Sequence, residues 1–302
     1  MSTTYRPDEM AFAGGIRCLL FSAIASIALH FALLAPANAG ETINIGLVPS
    51  EDAEAMAAQS RPLLEALRQS TGYEFKPFVA TDYGGVIEAM RSKHVDVAWF
   101  GGFSYVLAAE LAGAQAFAVP VPAKTGISAY SSCIFVRADS PYKDLGDLKG
   151  KTFALVDPSS TSGNMFPRAL LKMHGIEEAE KYFSRVIYSG SHNASLLALK
   201  NAKIDAVGSN PEISLNNMIR NNQIGADELR KVLCSDPIPN SPFAIRSDLP
   251  GQQAEKIKAA FYQIKDLTFA EYGKLEEFKK AQDSDYDIIR DVAKLMDLDL
   301  KK

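Results

Sequence analysis

Two consecutive runs of alternating strand-like and helix-like segments constrain this chain more than any other feature. From residue 42 onward, short apolar stretches at 42–48, 74–80, 96–100 and 116–121 are separated by helix-length amphipathic segments. In the first of these segments, 54–69, Met56, Leu63, Leu64 and Leu67 recur at helical spacing. This β-α-β-α-β-α-β order predicts a mostly parallel sheet with helices on its faces. A second series follows, with strands at 131–136, 151–156, 185–188 and 205–208 and helices at 162–174, 193–201 and 212–221. The expected fold class is therefore α/β, built as two lobes. A ligand would sit between them, because open α/β sheets bind at the carboxyl ends of their strands. Further helices near 254–270 and 288–296 carry apolar stripes (Ile257, Phe261, Ile264; Ile288, Val292, Leu295) that read as core faces.

Residues 1–39 read as a secretory signal. Arg6 and Arg17 precede an apolar run from Leu19 to Leu34, and Ala37-Asn38-Ala39 supplies a small-x-small cleavage pattern. The run is short for a membrane span, which needs about 20 apolar residues, and it contains His30. Removal of the segment takes Arg6, Arg17, Asp8 and Glu9 together, so the net charge stays at −4. That balance argues against nucleic acid, which is met by a basic face. It does not exclude a small anion, since backbone dipoles bind anions without net positive charge. Cys133 and Cys234 have neither metal-ligand nor redox spacing. They read as two buried free thiols, with a disulfide as the alternative in an oxidising compartment.

The strand-to-helix junctions of the second series hold most of the chemistry. After strand 151–156 comes Asp157-Pro158-Ser159-Ser160-Thr161-Ser162-Gly163-Asn164, then a helix with Pro167 in its first turns. Hydroxyl residues there cap the helix, and Gly163 permits close approach to the backbone. The result is an oxyanion cradle or, on the plainer alternative, an ordinary N-cap. The next junction, Ser189-Gly190-Ser191-His192-Asn193-Ala194, places His192 at a helix start, as an oxyanion donor or a structural histidine. The third, Gly208-Ser209-Asn210-Pro211-Glu212, puts an acid in a first helical turn, where the helix dipole alone favours it. Beside an anion site, Glu212 suggests a ligand with a cationic end. The first series offers the tips Pro49-Ser50-Glu51, Thr81-Asp82-Tyr83-Gly84-Gly85 and Gly101-Gly102-Phe103-Ser104. Tyr83 and Tyr130 supply either phenolic hydrogen bonds or packing.

No His-x-x-x-His, Cys-x-x-Cys or Gly-x-Ser-x-Gly occurs, so no metal site, cofactor or catalytic set is expected. Gly146-Asp147-Leu148-Lys149-Gly150-Lys151-Thr152 falls one residue short of a P-loop and precedes its strand.

Thr81-Asp82-Tyr83-Gly84-Gly85-Val86-Ile87, Asp96-Val97-Ala98-Trp99-Phe100-Gly101 and Ser160-Thr161-Ser162-Gly163 with Pro167 together resemble the phosphonate-binding periplasmic proteins of ABC importers. Gly190-Ser191-His192, Asn210-Pro211-Glu212 and Ile238-Pro239-Asn240-Ser241-Pro242 extend that resemblance from Glu41 to about Leu267. It implies a two-lobed Venus-flytrap (type II) fold with hinge strands near Tyr130 and 234–240. The parts would be a signal peptide at 1–39, lobe 1 at 40–129, lobe 2 at 130–239, and a return to lobe 1 with C-terminal helices at 240–302. By the same resemblance, Ser160, Thr161, amides near Ser162 and Gly163, and His192 hold the phosphonate oxygens. Tyr83 and Tyr130 close over the ligand, and Glu212 receives the ammonium of 2-aminoethylphosphonate. Where the aminoethylphosphonate binders carry a second acid, this chain has Ser241, which holds an ammonium less firmly than a carboxylate. Relatives lacking such acids look like binders of methylphosphonate, phosphite or phosphate.

The implied role is capture in the periplasm and delivery to ABC permease and ATPase subunits, with the membrane met only through the permease. A ligand-binding sensor domain would share every cleft residue, and an enzyme of phosphorus-ester metabolism would need a base–nucleophile pair not found here.

Overall fold

The computed structural model describes residues 41–301 together with Met1, Ser2 and Thr4. Apart from those three positions, the signal-like segment at 1–39 lies outside the described residues. Thr42–Lys302 makes one compact unit containing two main sheets.

The first sheet begins as the sequence pattern predicts. Strand β1 (Thr42–Leu47) pairs in parallel with β2 (Glu74–Val79) and with β3 (Val97–Trp99). Between them run α1 (Ala53–Thr71) and α2 (Tyr83–Arg91), with α3 (Gly102–Ala112) after β3. Asp52 and Asp82 cap the first two helices by accepting from Ala55 and Gly85 N–H. Gly72 ends α1 in the left-handed region at φ 73°.

The sheet is less parallel than expected from the element order. Strand β4 (Ala114–Pro122) does not join β3. Instead β12 (Phe243–Arg246), arriving late in the chain, lies between them and is antiparallel to both. Strands β13 (Thr268–Phe269) and β14 (Gly273–Lys280) extend the far edge, in the order β13-β14-β4-β12-β3-β1-β2. The helix expected at 254–270 ends early, as α8 (Gly251–Gln263). Rings of Trp99, Phe117, Phe243, Phe261, Phe269 and Phe278 pack edge-on or tilted under this sheet.

The second sheet has the order β10-β6-β9-β7-β8. Its strands are β6 (Cys133–Arg137), β7 (Thr152–Leu155), β8 (Arg185–Tyr188), β9 (Ala206–Ser209) and β10 (Leu229–Cys234). Alternate residues of β6 enter different cores: Cys133 and Phe135 on one face, Ile134 and Val136 on the other. Both faces of β6, β7 and β9 are buried, so these inner strands are mostly apolar, whereas the edge strands β8 and β10 carry Arg185, Arg230 and Lys231. Strands β8, β7 and β9 are parallel neighbours, and their carboxyl ends come together at one edge.

The chain crosses between the sheets twice. The two crossings, β5 (Ala129–Tyr130) and β11 (Ile238–Pro239), pair with each other as a short antiparallel ribbon. Just beyond it, Cys133 and Cys234 are disulfide-bonded. This corrects the free-thiol reading: β6 and β10 pair these two residues directly, a proximity that linear spacing does not reveal.

Candidate functional site

Each parallel strand of the second sheet delivers a helix start to the same place. After β7, a π-helical turn (Thr161–Met165) leads into α4 (Phe166–Met173). After β8, itself preceded by the short helix α5 (Ala179–Tyr182), comes α6 (His192–Lys200). After β9, a second π-helical turn (Pro211–Leu215) leads into α7 (Asn216–Arg220). Single π turns inside helices recur at functional sites. Ser160, Ser191 and Asn210 cap the three starts by accepting from Gly163, Ala194, and Ile213 with Ser214. The early amides Thr161 and Ser162 have no carbonyl before them in the helix, so their donors point out of its N-terminal end.

A buried cavity lies where these starts face the first sheet. Lobe 2, which carries the second sheet, contributes Ser160, Thr161, Ser162, His192, Asn210 and Ile213. The crossing strand gives Tyr130, and the lobe of the first sheet gives Val48, Ser50, Tyr83, Trp99, Gly101, Ser241 and Glu271. Its volume is about 20 Å3. One water needs about 10–15 Å3, so the cavity suits a compact polar group.

Hydrogen bonds close the lobes around it. Phe103 N–H donates to Thr161 Oγ1 at 2.8 Å, His192 N–H to Ser50 O at 2.8 Å, and Tyr83 N–H to Asp157 Oδ2 at 3.3 Å. Thr161 thus accepts from lobe 1 while its own hydroxyl lies within hydrogen-bond reach of the Tyr130 phenol on the cavity wall. His192 is fully buried, and burial pushes its imidazolium down to about 3, so the ring is neutral. Its Nδ1 shares a hydrogen bond with Ser209 Oγ at 2.8 Å, which leaves Nε2 as the nitrogen for a ligand. Burial raises both phenols, Tyr130 to about 12 and Tyr83 well above the usual range, so both remain donors. Trp99 Nε1–H, deeply buried on the cavity wall, has no hydrogen-bond partner in the protein. A buried donor of this kind calls for an acceptor from a ligand.

Seven of the nine residues singled out from sequence line this cavity: Ser160, Thr161, Ser162, His192, Tyr83, Tyr130 and Ser241. Gly163 does not. Its N–H is taken by Ser160 Oγ, and a Cβ there would fall 2.4 Å from Val156 Cγ2. The glycine is needed for helix–strand packing and not for ligand approach. Glu212 is also absent from the walls. Its exposed carboxylate accepts from Ser131 N–H at 3.0 Å and Ser131 Oγ–H at 2.8 Å, next to Tyr130.

Sequence reasoning missed Glu271 and Trp99. The tryptophan ends a parallel strand and was open to discovery on that ground. Glu271 sits in a short turn, Ala270–Tyr272, with no motif around it. It is buried, accepts from Ser214 Oγ–H at 3.1 Å, and has Glu51 as its neighbour.

Residues 45–286 match the family described as ABC transporter, phosphonate, periplasmic substrate-binding protein. The chain belongs to this family. It is 32% identical to the phosphonates-binding periplasmic protein of Escherichia coli strain K12, over 87% of this chain and 76% of that one. It is 33% identical to the phosphate-import protein PhnD of Mycolicibacterium smegmatis, over 83% and 84%. Among solved structures, a binding protein component of an ABC phosphonate transporter from Pseudomonas aeruginosa superposes with a TM-score of 0.79. That pair shares 27% identity over 85% of this chain and 87% of the other. Membership places the chain among periplasmic substrate-binding components of phosphonate and phosphate importers and supports the two-lobed type II fold. These relatives are binding and transport proteins, not enzymes. Among the described residues, no helix is long and apolar enough to cross a membrane, and no His, Cys, Asp and Glu cluster fits a metal ion.

Proposed function

We propose that the chain captures a small phosphonate reversibly and without chemistry, with 2-aminoethylphosphonate as its first candidate, and hands it to an ABC permease. The observation that carries this reading is the composition of the cavity wall. Five serine and threonine residues, helix-start amides, a neutral histidine, two phenols and an unpartnered indole N–H line one cavity. That set is suited to the oxygens of a tetrahedral oxyanion. No lysine or arginine lines the cavity, and one buried carboxyl does, which favours a ligand carrying its own cation. Opening and closing would use the crossing strands at 129–130 and 238–239 as hinges, with the ligand stabilising the closed form by touching both lobes.

The small cavity volume favours a second reading, in which the cargo is methylphosphonate, phosphite or phosphate. Calorimetric titration of protein stripped of ligand by unfolding and refolding separates the two. Tighter binding of 2-aminoethylphosphonate than of the other three supports the first reading. Preference for a ligand without an amine supports the second. Binding of none would overturn capture of phosphorus oxyanions altogether.

A further inference from the structure

We propose that Glu271, backed by Glu51, is the subsite that recognises the ligand's cationic end, taking an ammonium in exchange for a shared proton. This rests on the phosphonate reading above and assigns the amine to a different residue from the one the family resemblance indicated.

The two carboxyls form an unusual arrangement for a closed interior. Glu51 is 2% exposed and Glu271 4%. Only Glu271 lines the cavity, with Glu51 behind it. Lobe 2 covers the pair from the other side. Asn217 Nδ2–H donates to both oxygens of Glu51 at 2.7 and 2.8 Å, and Ser214 Oγ–H donates to Glu271 Oε2. Arg220 donates to the backbone oxygen of Glu271 at 2.7 Å, and its charge acts on Glu51. Ala270, immediately before Glu271, is held at φ 43°, a conformation that costs a non-glycine residue free energy and is retained where surroundings enforce it. The turn is thus held so that a carboxyl enters the cavity.

The charged and titratable groups facing Glu271 are Glu51 from the β1–α1 loop, Tyr83 from α2, Tyr130 from β5, Tyr272 beside it and Arg220 from α7. The phenols are neutral, so one guanidinium faces two acids. Burial, and then the charge of Glu51, push the Glu271 carboxyl well above its ordinary range. Two neighbouring carboxyls that cannot both ionise hold a proton between them. A ligand that brings an ammonium replaces that proton, whereas one that ends in a methyl group leaves it in place.

The test is calorimetry of 2-aminoethylphosphonate and methylphosphonate at neutral pH in two buffers of different ionisation enthalpy. This yields the protons exchanged on binding. The ligands' own ionisations cancel between wild type and Glu271→Gln. Wild type is expected to release about one proton more with the aminoalkyl ligand than the variant does, as linkage requires. The affinity ratio of aminoalkyl to methyl ligand should fall about tenfold or more in Glu271→Gln, the weight of one hydrogen bond between charged groups. Glu51→Gln, outside the cavity wall, removes only the second of the two causes, so it should reduce the extra proton release by less than Glu271→Gln does, and it guards against misfolding of the first variant. Both ligands binding wild type with proton counts that neither variant alters would overturn the subsite alone. An unchanged affinity ratio in Glu271→Gln would do the same. Failure of both ligands to bind wild type would overturn the phosphonate reading and the subsite with it.

Discussion

Lobe 2 meets the cavity with three helix starts, three hydroxyls and a neutral histidine, whereas lobe 1 meets it with an indole N–H, a phenol, a buried carboxyl and two scattered serines, Ser50 and Ser241. The first set consists of donors held by backbone geometry, and it has no means of distinguishing one tetrahedral oxyanion from another by its fourth substituent. The second set is mixed, and its members come from five separate places in the chain, near 48–51, 83, 99–101, 241 and 271. On the proposed reading the difference implies a division of labour: one lobe would hold the oxygens common to the ligand class, and the other would meet what varies.

The largest effect should come from the residue that serves both sides. Thr161 Oγ1 accepts from Phe103 N–H across the cleft and also lines the cavity. Thr161→Val removes a hydrogen bond to a charged ligand, worth about 1.5–3 kcal/mol, and orphans a buried N–H at about 1–3 kcal/mol. Titration should show affinity for every phosphorus oxyanion falling about 100-fold or more, since each 1.4 kcal/mol is tenfold. A loss confined to one ligand would break the comparison, because lobe 2 would then be selecting.

The lobes also differ in covalent reinforcement. The disulfide closes a loop of 101 residues that contains most of lobe 2. Chain-entropy arguments give such a loop about 5 kcal/mol of stabilisation. The Cys133→Ser/Cys234→Ser double variant should therefore lower the unfolding free energy extrapolated from urea by about that amount and move the midpoint to lower urea. An unshifted midpoint would mean that the close pairing of β6 and β10 persists in the unfolded chain.

Titration in the two lobes should have opposite signs. His192 has its folded value lowered from 6.5 to about 3, so its stabilisation is present above 6.5 and is lost as the pH falls through that window. Glu51 and Glu271 have folded values raised above 4.5, so their stabilisation is full below 4.5 and is lost as the pH rises. Melting temperature without ligand should fall on both sides of an optimum. His192→Gln should flatten the acid limb, and Glu271→Gln should flatten the alkaline one. If either variant flattened the other's limb, the assignment of charge to lobes would be wrong.

How far the sequence revealed all this also divides by lobe. The lobe 2 junctions were legible because a cap residue, a strand end and an apolar helix lie together in a dozen residues, as at Ser160 and Ser191. Lobe 1's last strands were not. A bulge between Leu275 and Glu277 breaks the alternation of β14, so its apolar residues fall out of period 2. Glu271 reads locally as a polar turn, and its surroundings (Ser214 and Arg220 from the other lobe, Glu51 with its partner Asn217) come from distant parts of the chain. Glu212 was the converse case: it was visible as an acid beside a proline at a strand end, yet the structure uses it to hold Ser131.

That last residue gives the smallest expected effect and the sharpest test of the division. Glu212 belongs to lobe 2, lies exposed, and accepts from Ser131 rather than facing the cavity. A glutamine there keeps an oxygen for one of those donors. Glu212→Gln should change the affinity of 2-aminoethylphosphonate and of methylphosphonate equally, by about threefold or less, the scale of one exposed hydrogen bond. Suppose instead that titration showed a tenfold loss for the aminoalkyl ligand and none for methylphosphonate. The amine would then reach the rim beside Tyr130, lobe 2 would read the substituent as well as the oxygens, and Glu271 would be left as a buried acid that binds the lobes to each other.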